Sequence, residues 1–316
     1  MKTRLSKMLA LVVILAAVAG GSLGVMGSAT AQTTDWRKQY PKFRYGVQAV
    51  ETQAAALTRY KAFGEYVKKK LGVELELFLA AEYAGVIQAI GAKQLEVMDM
   101  GAAGYAAAWL ETNGAVEPLV VPTNPDGTIG YYAVAFVRAD SPYKNLNDLK
   151  GKTWAWVEPN SSSGYIFPLV GFRNMGLEPE KHFGKVVFSG GHEQSIIGVL
   201  DKAYDGAITW TNDVEKHTRG GLYMMLSRGV LKKEDIRIIW VSELIPNPVI
   251  AIRSDLPKEM KAEIKAMFMN LHKDDPKVFK EVVRGESQGY KEVEHSVYKI
   301  AVDLRQQLAK ERRGKK

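Results

Sequence analysis

Short apolar runs alternate with amphipathic ones along most of this chain. "FRYGVQAV", "VELELFLA", "LEVMDMG", "YYAVAFV", "TWAWVEP", "KVVFSG", "DGAITW", "IRIIWVS" and "NPVIAIR" have the length and β-branched or aromatic content of strands. Between them, residues 54–71 place Leu57, Tyr60, Gly64, Val67 and Leu71 near one stripe, and "HEQSIIGVLDKAY" carries Ile196, Ile197, Leu200 and Ala203 at helical spacing. Residues 257–271 and 293–308 predict longer helices, the second patterned by Val297, Ile300, Leu304 and Leu308. Strand and helix in alternation imply an α/β fold with mostly parallel sheets covered on both faces.

Two strand-like stretches can carry the chain from one domain to another and back: "YYAVAFVRADSP" and "WVSELIPNPVIAIRSDLP". The segment between them has strands and helices enough for a small domain. This gives an expected division into a first lobe from residues 32–136 and 246–316 and a second lobe from 137–245, with a cleft able to close on a ligand. One larger α/β domain is the alternative.

The first residues add a compartment. Lys2, Arg4 and Lys7 precede an almost continuous apolar or small-residue run, and Ala29-Thr30-Ala31 has the small-x-small form of a cleavage site. Residues 1–31 therefore read as a signal peptide cleaved after Ala31, with export into a periplasm or outside the cell; a retained membrane anchor is the alternative. Taking Lys2, Arg4 and Lys7 from the formal charge of +8 leaves +5, a modest excess on dispersed residues. Neither zinc-finger spacing nor a basic-aromatic stripe suggests nucleic-acid binding. The chain has no cysteine, so an exported protein of this sequence must rely on its core rather than on disulfides.

Candidate chemistry collects where strands end and helices begin, the usual place for ligands in such sheets. Tyr83 opens a helix after one strand. Gly101 and Gly104, with Ala103 and Tyr105, follow another. Asn160, Ser161, Ser162, Ser163 and Gly164 follow a third, and Gly190, Gly191 and His192 a fourth. Hydroxyls at a helix entrance, where unpaired N–H groups carry partial positive charge, suit an oxyanion. One of these serines could equally be an ordinary N-cap. The second glycine-rich entrance, with His192, favours binding. His192 could donate from a neutral ring or pair as a cation with a bound dianion. The loop lacks a GK[ST] ending, so it is not a nucleotide phosphate loop. No GxSxG elbow supports a catalytic triad of serine, His192 and Asp205, and no histidine-carboxylate cluster suggests a metal, so neither an enzyme nor a cofactor is expected.

Taken in order, "EYAGVIQAI", "EPNSSSGY", "SGGHEQS" with "YDGAITW", and "IPNPVIAIR" resemble the periplasmic phosphonate-binding proteins of ABC importers, a family that includes phosphite and phosphate binders. The resemblance spans residues 43–270. It implies a type II periplasmic binding protein: two lobes, each with a central mixed β-sheet flanked by helices, joined by two crossover strands. It also implies a small phosphorus oxyanion as ligand, a membrane permease as partner, no nucleic acid, and a monomer. By position, Ser161, Ser162, Ser163 and Gly164 would hold the phosphonate oxygens, His192 would add a donor, and Tyr83 would reach in from the opposite lobe. Three positions depart from the aminoalkylphosphonate binders. Ala103 stands where they have a tyrosine, with Tyr105 two residues on, and Asn212 and Asn247 replace the carboxylates that meet an amine. Burying an ammonium without a charged partner is costly, so phosphite, phosphate, methylphosphonate or another amine-free phosphonate is expected. A sensor module for the same ligand class, or a binder of sulfonate or sulfate, are the competing functions.

Overall fold

The computed structural model describes residues 35–47, 53–80 and 82–314; the expected signal segment and its cleavage site lie outside these. From β1 (Lys42–Val47) the chain runs through α1 (Gln53–Leu71), β2 (Glu74–Leu79), α2 (Tyr83–Gly91), β3 (Val97–Met100), α3 (Ala102–Glu111) and β4 (Val116–Pro122). It continues through β5 (Gly130–Arg138), β6 (Thr153–Trp156), α4 (Phe167–Asn174), α5 (Pro179–His182), β7 (Lys185–Phe188), α6 (His192–Leu200), β8 (Gly206–Thr211), α7 (Gly221–Ser227) and β9 (Ile236–Val241). It closes with β10 (Ile245–Pro246), β11 (Val249–Arg253), α8 (Lys258–Asp274), α9 (Pro276–Val283), β12 (Tyr290–Glu292) and α10 (Lys299–Gly314).

These strands form two mixed sheets. The first has the order β12-β4-β11-β3-β1-β2, and the second β10-β5-β8-β6-β7 with β9 on the free side of β5. Parallel pairing joins β1 to β2 and β3, and β6 to β7 and β8; β11 returns antiparallel between β3 and β4. Each sheet is flanked by helices, which is the fold of a type II periplasmic binding protein. The chain passes from the first sheet to the second within residues 123–129 and returns between β10 and β11. The strand that reads in sequence as the first crossing, β5, lies wholly in the second sheet. Residues Asp35–Lys316 cluster as one compact unit.

Three apolar clusters hold the layers. On one face of the first sheet Phe43, Tyr45 and Val97 pack with Tyr60, Phe63, Ile264 and Phe268 from α1 and α8. On the outer face of the second sheet Val134, Phe136 and Ala207 meet Ile196 and Leu222. The third cluster is continuous between the halves, from Ile87 and Ala106 of the first to Trp154, Phe172 and Ile208 of the second. Central strands are buried on both faces, as β8 is throughout, which is why they read as unbroken apolar runs. Details of the helical stripes differ from the sequence reading. Leu57, Ile197 and Ile300 are exposed, while Ala301 and Val302 turn inward. The last helix begins only at Lys299, after a short tight turn at His295–Tyr298, and Val297, Leu304 and Leu308 keep their inward face.

Candidate ligand site

The carboxyl ends of the parallel strands deliver four helix entrances to the seam between the sheets. In the second half, β6 ends at Trp156 and the chain enters a single wide turn, Ser162–Ile166, before α4. Its width is set by the i to i+5 bond from Ile166 N–H to the Ser161 carbonyl (3.0 Å). Such turns often mark functional positions because they re-aim side chains. Gly164 is required here: a Cβ would stand 2.3 Å from Val157 Cβ.

The three serines divide the work. Ser161 is the cap, its Oγ accepting from Gly164 N–H at 3.0 Å. Ser162 reaches across the seam, where its Oγ accepts from Ala103 N–H at 2.8 Å in the first turn of α3. Ser163 lies with Ser162 beside the Tyr131 hydroxyl; burial pushes that phenol's pKa up and the two serine hydroxyls partly counter it. All three serines are buried, at 2–3% exposure, so the seam is closed over them. Ala103 therefore contributes its backbone rather than a missing ring.

Tyr83 opens α2 on the opposite side and is also buried. Among the described residues its hydroxyl has no hydrogen-bond partner. Burial raises its pKa, Glu158 adds to the rise, and Ser161 lies close enough to oppose it although no bond of normal geometry joins the two. A buried, unanswered hydroxyl facing a serine loop is the kind of group a ligand oxygen would satisfy. Tyr105, in contrast, is directed away: its hydroxyl is 2.8 Å from His295 Nδ1, and its ring packs edge-on against Tyr298. Two residues along a helix turn a side chain by about 200°, so the first-turn amide of Ala103 and the Tyr105 ring cannot serve the same space.

His192 starts α6 after Gly191 and is 3% exposed. Its Nδ1 lies 3.3 Å from Thr209 Oγ1. Burial, with Arg284's charge added, drives its pKa down to about 3, so the ring is neutral and acts as a neutral donor or acceptor. The unfolded chain, with an ordinary histidine near pH 6.5, takes a proton first as pH falls. The neutral ring's contribution to stability is thus complete above about pH 6.5 and is lost as pH falls toward 3, reaching about 2 kcal/mol at pH 5. His192→Gln should therefore reduce the stability difference between pH 7.5 and pH 5 by that amount in urea unfolding; an unchanged difference would show that His192 is accessible to protons.

Two buried arginines, which the sequence reading did not single out, complete the setting. Arg219 is 1% exposed; its N–H meets Asn212 Oδ1 (2.8 Å) and its Nη2 donates to Asn247 Oδ1 (2.6 Å). Asn247 is anchored in turn by its Nδ2 bond to the Pro122 carbonyl (2.8 Å). Asn212 and Asn247 are thus both engaged by the protein itself. Arg284 pairs with Asp99 at 3.4 Å, and burial outweighs this partner, raising Asp99's pKa. Asp213, on the exposed side, caps a local turn through Glu215 and Lys216 N–H and does not enter the seam. Asp205 accepts from the Tyr143 hydroxyl and Thr153 N–H, a strand-fixing role that leaves no triad.

A polar chain ties the serine loop to the first half. Glu158 accepts from Asn160 N–H, and Asn160 Oδ1 accepts from Arg305 Nη2 (2.8 Å). Arg305 Nε donates to the Ala103 carbonyl at 2.5 Å. Burial lowers Arg305's pKa to about 10, which still leaves it charged at neutral pH. Among the described residues no group of three metal-binding side chains occurs, and no helix is long and apolar enough to cross a membrane.

Comparison with known proteins places this geometry. The family described as "ABC transporter, phosphonate, periplasmic substrate-binding protein" matches residues 45–298. The chain is 30% identical to the phosphonates-binding periplasmic protein of Escherichia coli (strain K12) over 240 residues, 75% of this chain and 68% of that one. It is 28% identical to the phosphate-import protein PhnD of Mycolicibacterium smegmatis, covering 66% of this chain and 65% of that protein's length. In structure it is similar to PhnD1 of Prochlorococcus marinus (MIT 9301), solved with methylphosphonate, with a TM-score of 0.72, 19% identity, and coverage of 85% and 99% of the two chains.

Proposed function

Because the chain belongs to the family of periplasmic phosphonate-binding proteins of ABC transporters, whose members are solute binders and not enzymes, we propose that it captures an amine-free phosphorus oxyanion and delivers it to a membrane permease. Family membership supports a periplasmic location and a permease partner; the ligand and the cleavage after Ala31 are the finer reading. The observation that carries the ligand class is the buried serine turn set against the first turn of α3. Ser162 Oγ accepts the Ala103 N–H across the seam, so a helix N-terminus there takes an oxygen acceptor from the other half. A phosphonate oxygen can take the same role while Ser161, Ser163, Tyr83 and His192 supply neutral donors, and such bonds to an anion are stronger than neutral ones.

The engagement of Asn212 and Asn247 by Arg219 supports the absence of an amine. An ammonium group brought there would meet a guanidinium rather than a carboxylate. The E. coli and M. smegmatis relatives, named for phosphonates and phosphate, and the methylphosphonate complex are consistent with this ligand class.

A calorimetric and thermal-shift screen of the protein from Gln32 onward, with phosphite, phosphate, methylphosphonate, 2-aminoethylphosphonate and sulfate, tests the reading. A ligand at a hundred times its Kd stabilises by about 2.7 kcal/mol, which is roughly a 5 °C rise for a chain of this size. At least one amine-free phosphorus oxyanion should give that rise, and sulfate should not. Silence toward every phosphorus compound would refute the proposal, and a response to sulfate alone would reassign the ligand.

A further inference from the structure

Arg219 is an unusual cation for a closed seam. Its side chain is buried and bonds the neutral amide of Asn247, and among the described residues its Nε has no acceptor. Among the described residues no carboxylate lies within ion-pair distance of it; the nearby Asp99 is already paired with Arg284. A buried guanidinium held by one neutral amide and the Trp210 ring is costly, because its lost hydration is not repaid by an opposite charge.

Its location says where the missing charge would come from. The Arg219 guanidinium lies 5.7 Å from the Trp210 ring centre, Trp210 packs edge-on against Tyr131 at 5.0 Å, and Tyr131 in turn borders Ser162 and Ser163. His192 meets the same Trp210 ring. The backbone of Arg219 pairs with Gly285 from the first half of the fold, and a Cβ at Gly285 would fall 2.5 Å from the Thr218 carbonyl, so this contact between the halves tolerates no side chain. Arg219 thus stands at the meeting of the two halves, close enough to Tyr131 for its charge to lower the pKa of the phenol that borders the serines.

We propose that Arg219 is the counter-charge for a second acidic group on the ligand, so that the site selects phosphonates bearing a carboxylate over neutral alkylphosphonates of the same length. The inference rests on the serine turn holding the phosphonate, as argued above. The carboxylate accepts from the guanidinium Nε and from a further Nη hydrogen not used by Asn247, a pairing that suits a planar two-oxygen group. Aminoalkylphosphonates are disfavoured for the converse reason, since their ammonium meets a fixed positive charge.

Calorimetry with phosphonoacetate, ethylphosphonate and 2-aminoethylphosphonate tests this on the protein from Gln32 onward. Phosphonoacetate should bind about tenfold or more tighter than ethylphosphonate, the range of a buried charge-assisted bond, and 2-aminoethylphosphonate should be the weakest. Arg219→Gln should bring the first ratio to about one. Asn247→Asp should do the same with Arg219 intact, because the new carboxylate pairs with the guanidinium internally; it serves if Arg219→Gln does not fold. Ethylphosphonate and phosphonoacetate binding equally to the unaltered protein would overturn the inference while leaving the phosphonate reading in place. A ratio unchanged in Asn247→Asp, or an Arg219→Gln protein that loses both ligands equally, would also overturn it. If none of the three phosphonates binds, this inference falls, while the phosphorus-oxyanion reading falls only if phosphite, phosphate and methylphosphonate fail too.

Discussion

Replacing Ser161 and Ser163 together by alanine should weaken binding of the preferred phosphorus oxyanion by about a hundredfold or more, since each charge-assisted bond contributes about 1.5–3 kcal/mol. The two serines differ in what else they do. Ser161 also caps the wide turn through Gly164 N–H, and loss of a cap costs about 1 kcal/mol of stability. Ser163 makes no cap bond, although its hydroxyl borders that of Tyr131, so Ser163→Ala disturbs the turn less than Ser161→Ala does. The expected pattern is a large loss of affinity in calorimetry from each single change, with Ser161→Ala lowering the unfolding midpoint more. If the double variant binds as the parent does, the serine turn is a helix entrance and nothing more.

The largest expected effect on stability comes from Trp154→Ala. This ring is wholly buried in β6, stacked on Phe183 at 4.8 Å with an angle of 6°, and edge-on to Trp156 and Phe172 at 5.3 and 5.6 Å. Removing it leaves a cavity between the second sheet and α4, at a cost of about 3–5 kcal/mol. Because β6 ends at Trp156, immediately before the serine turn, binding should fall as well, through misplacement of hydroxyls that are themselves unchanged. Urea unfolding at fixed pH measures the first effect and calorimetry the second. A loss below about 1 kcal/mol would mean that the surrounding rings collapse to fill the space.

The parts of the site that could be read from sequence are those whose chemistry is local. Ser161, Ser162, Ser163 and Gly164 are consecutive, and His192 follows two glycines at a helix start. Tyr83 likewise opens α2. Their roles depend on strand-to-helix junctions that a short window displays. Arg219 and Arg284 gave no such signal: Arg219 lies in an irregular "HTRGG" stretch, and its partners Asn247 and Gly285 are distant in the chain. Tyr131 was legible as part of a strand but not as a neighbour of serines thirty residues away. Tyr105 was over-read because an aromatic near a glycine looks available until the helix phase turns it toward His295.

The same contrast holds for the fold. Strands buried on both faces, such as β8 and β11, are visible as apolar runs. The strand β4 escaped because Pro118 and Pro122 mark it as loop, yet it lies between β11 and β12. Pro118 is accommodated where the β4–β11 register shifts, near Ala251. Proline at such an irregularity forfeits no regular ladder bond.

The C-terminal helix α10 bears on how this protein could be turned into a reporter. Through Arg305 it holds Ala103 of one half and Asn160 of the other, and farther along Glu311 accepts from Arg173 Nη1 at 3.1 Å. Any parting of the two halves would have to break one set of these bonds, so the surroundings of α10 would report it. The chain contains no cysteine, so a thiol introduced on the exposed side of α10 would be its sole thiol and a specific site for a dye.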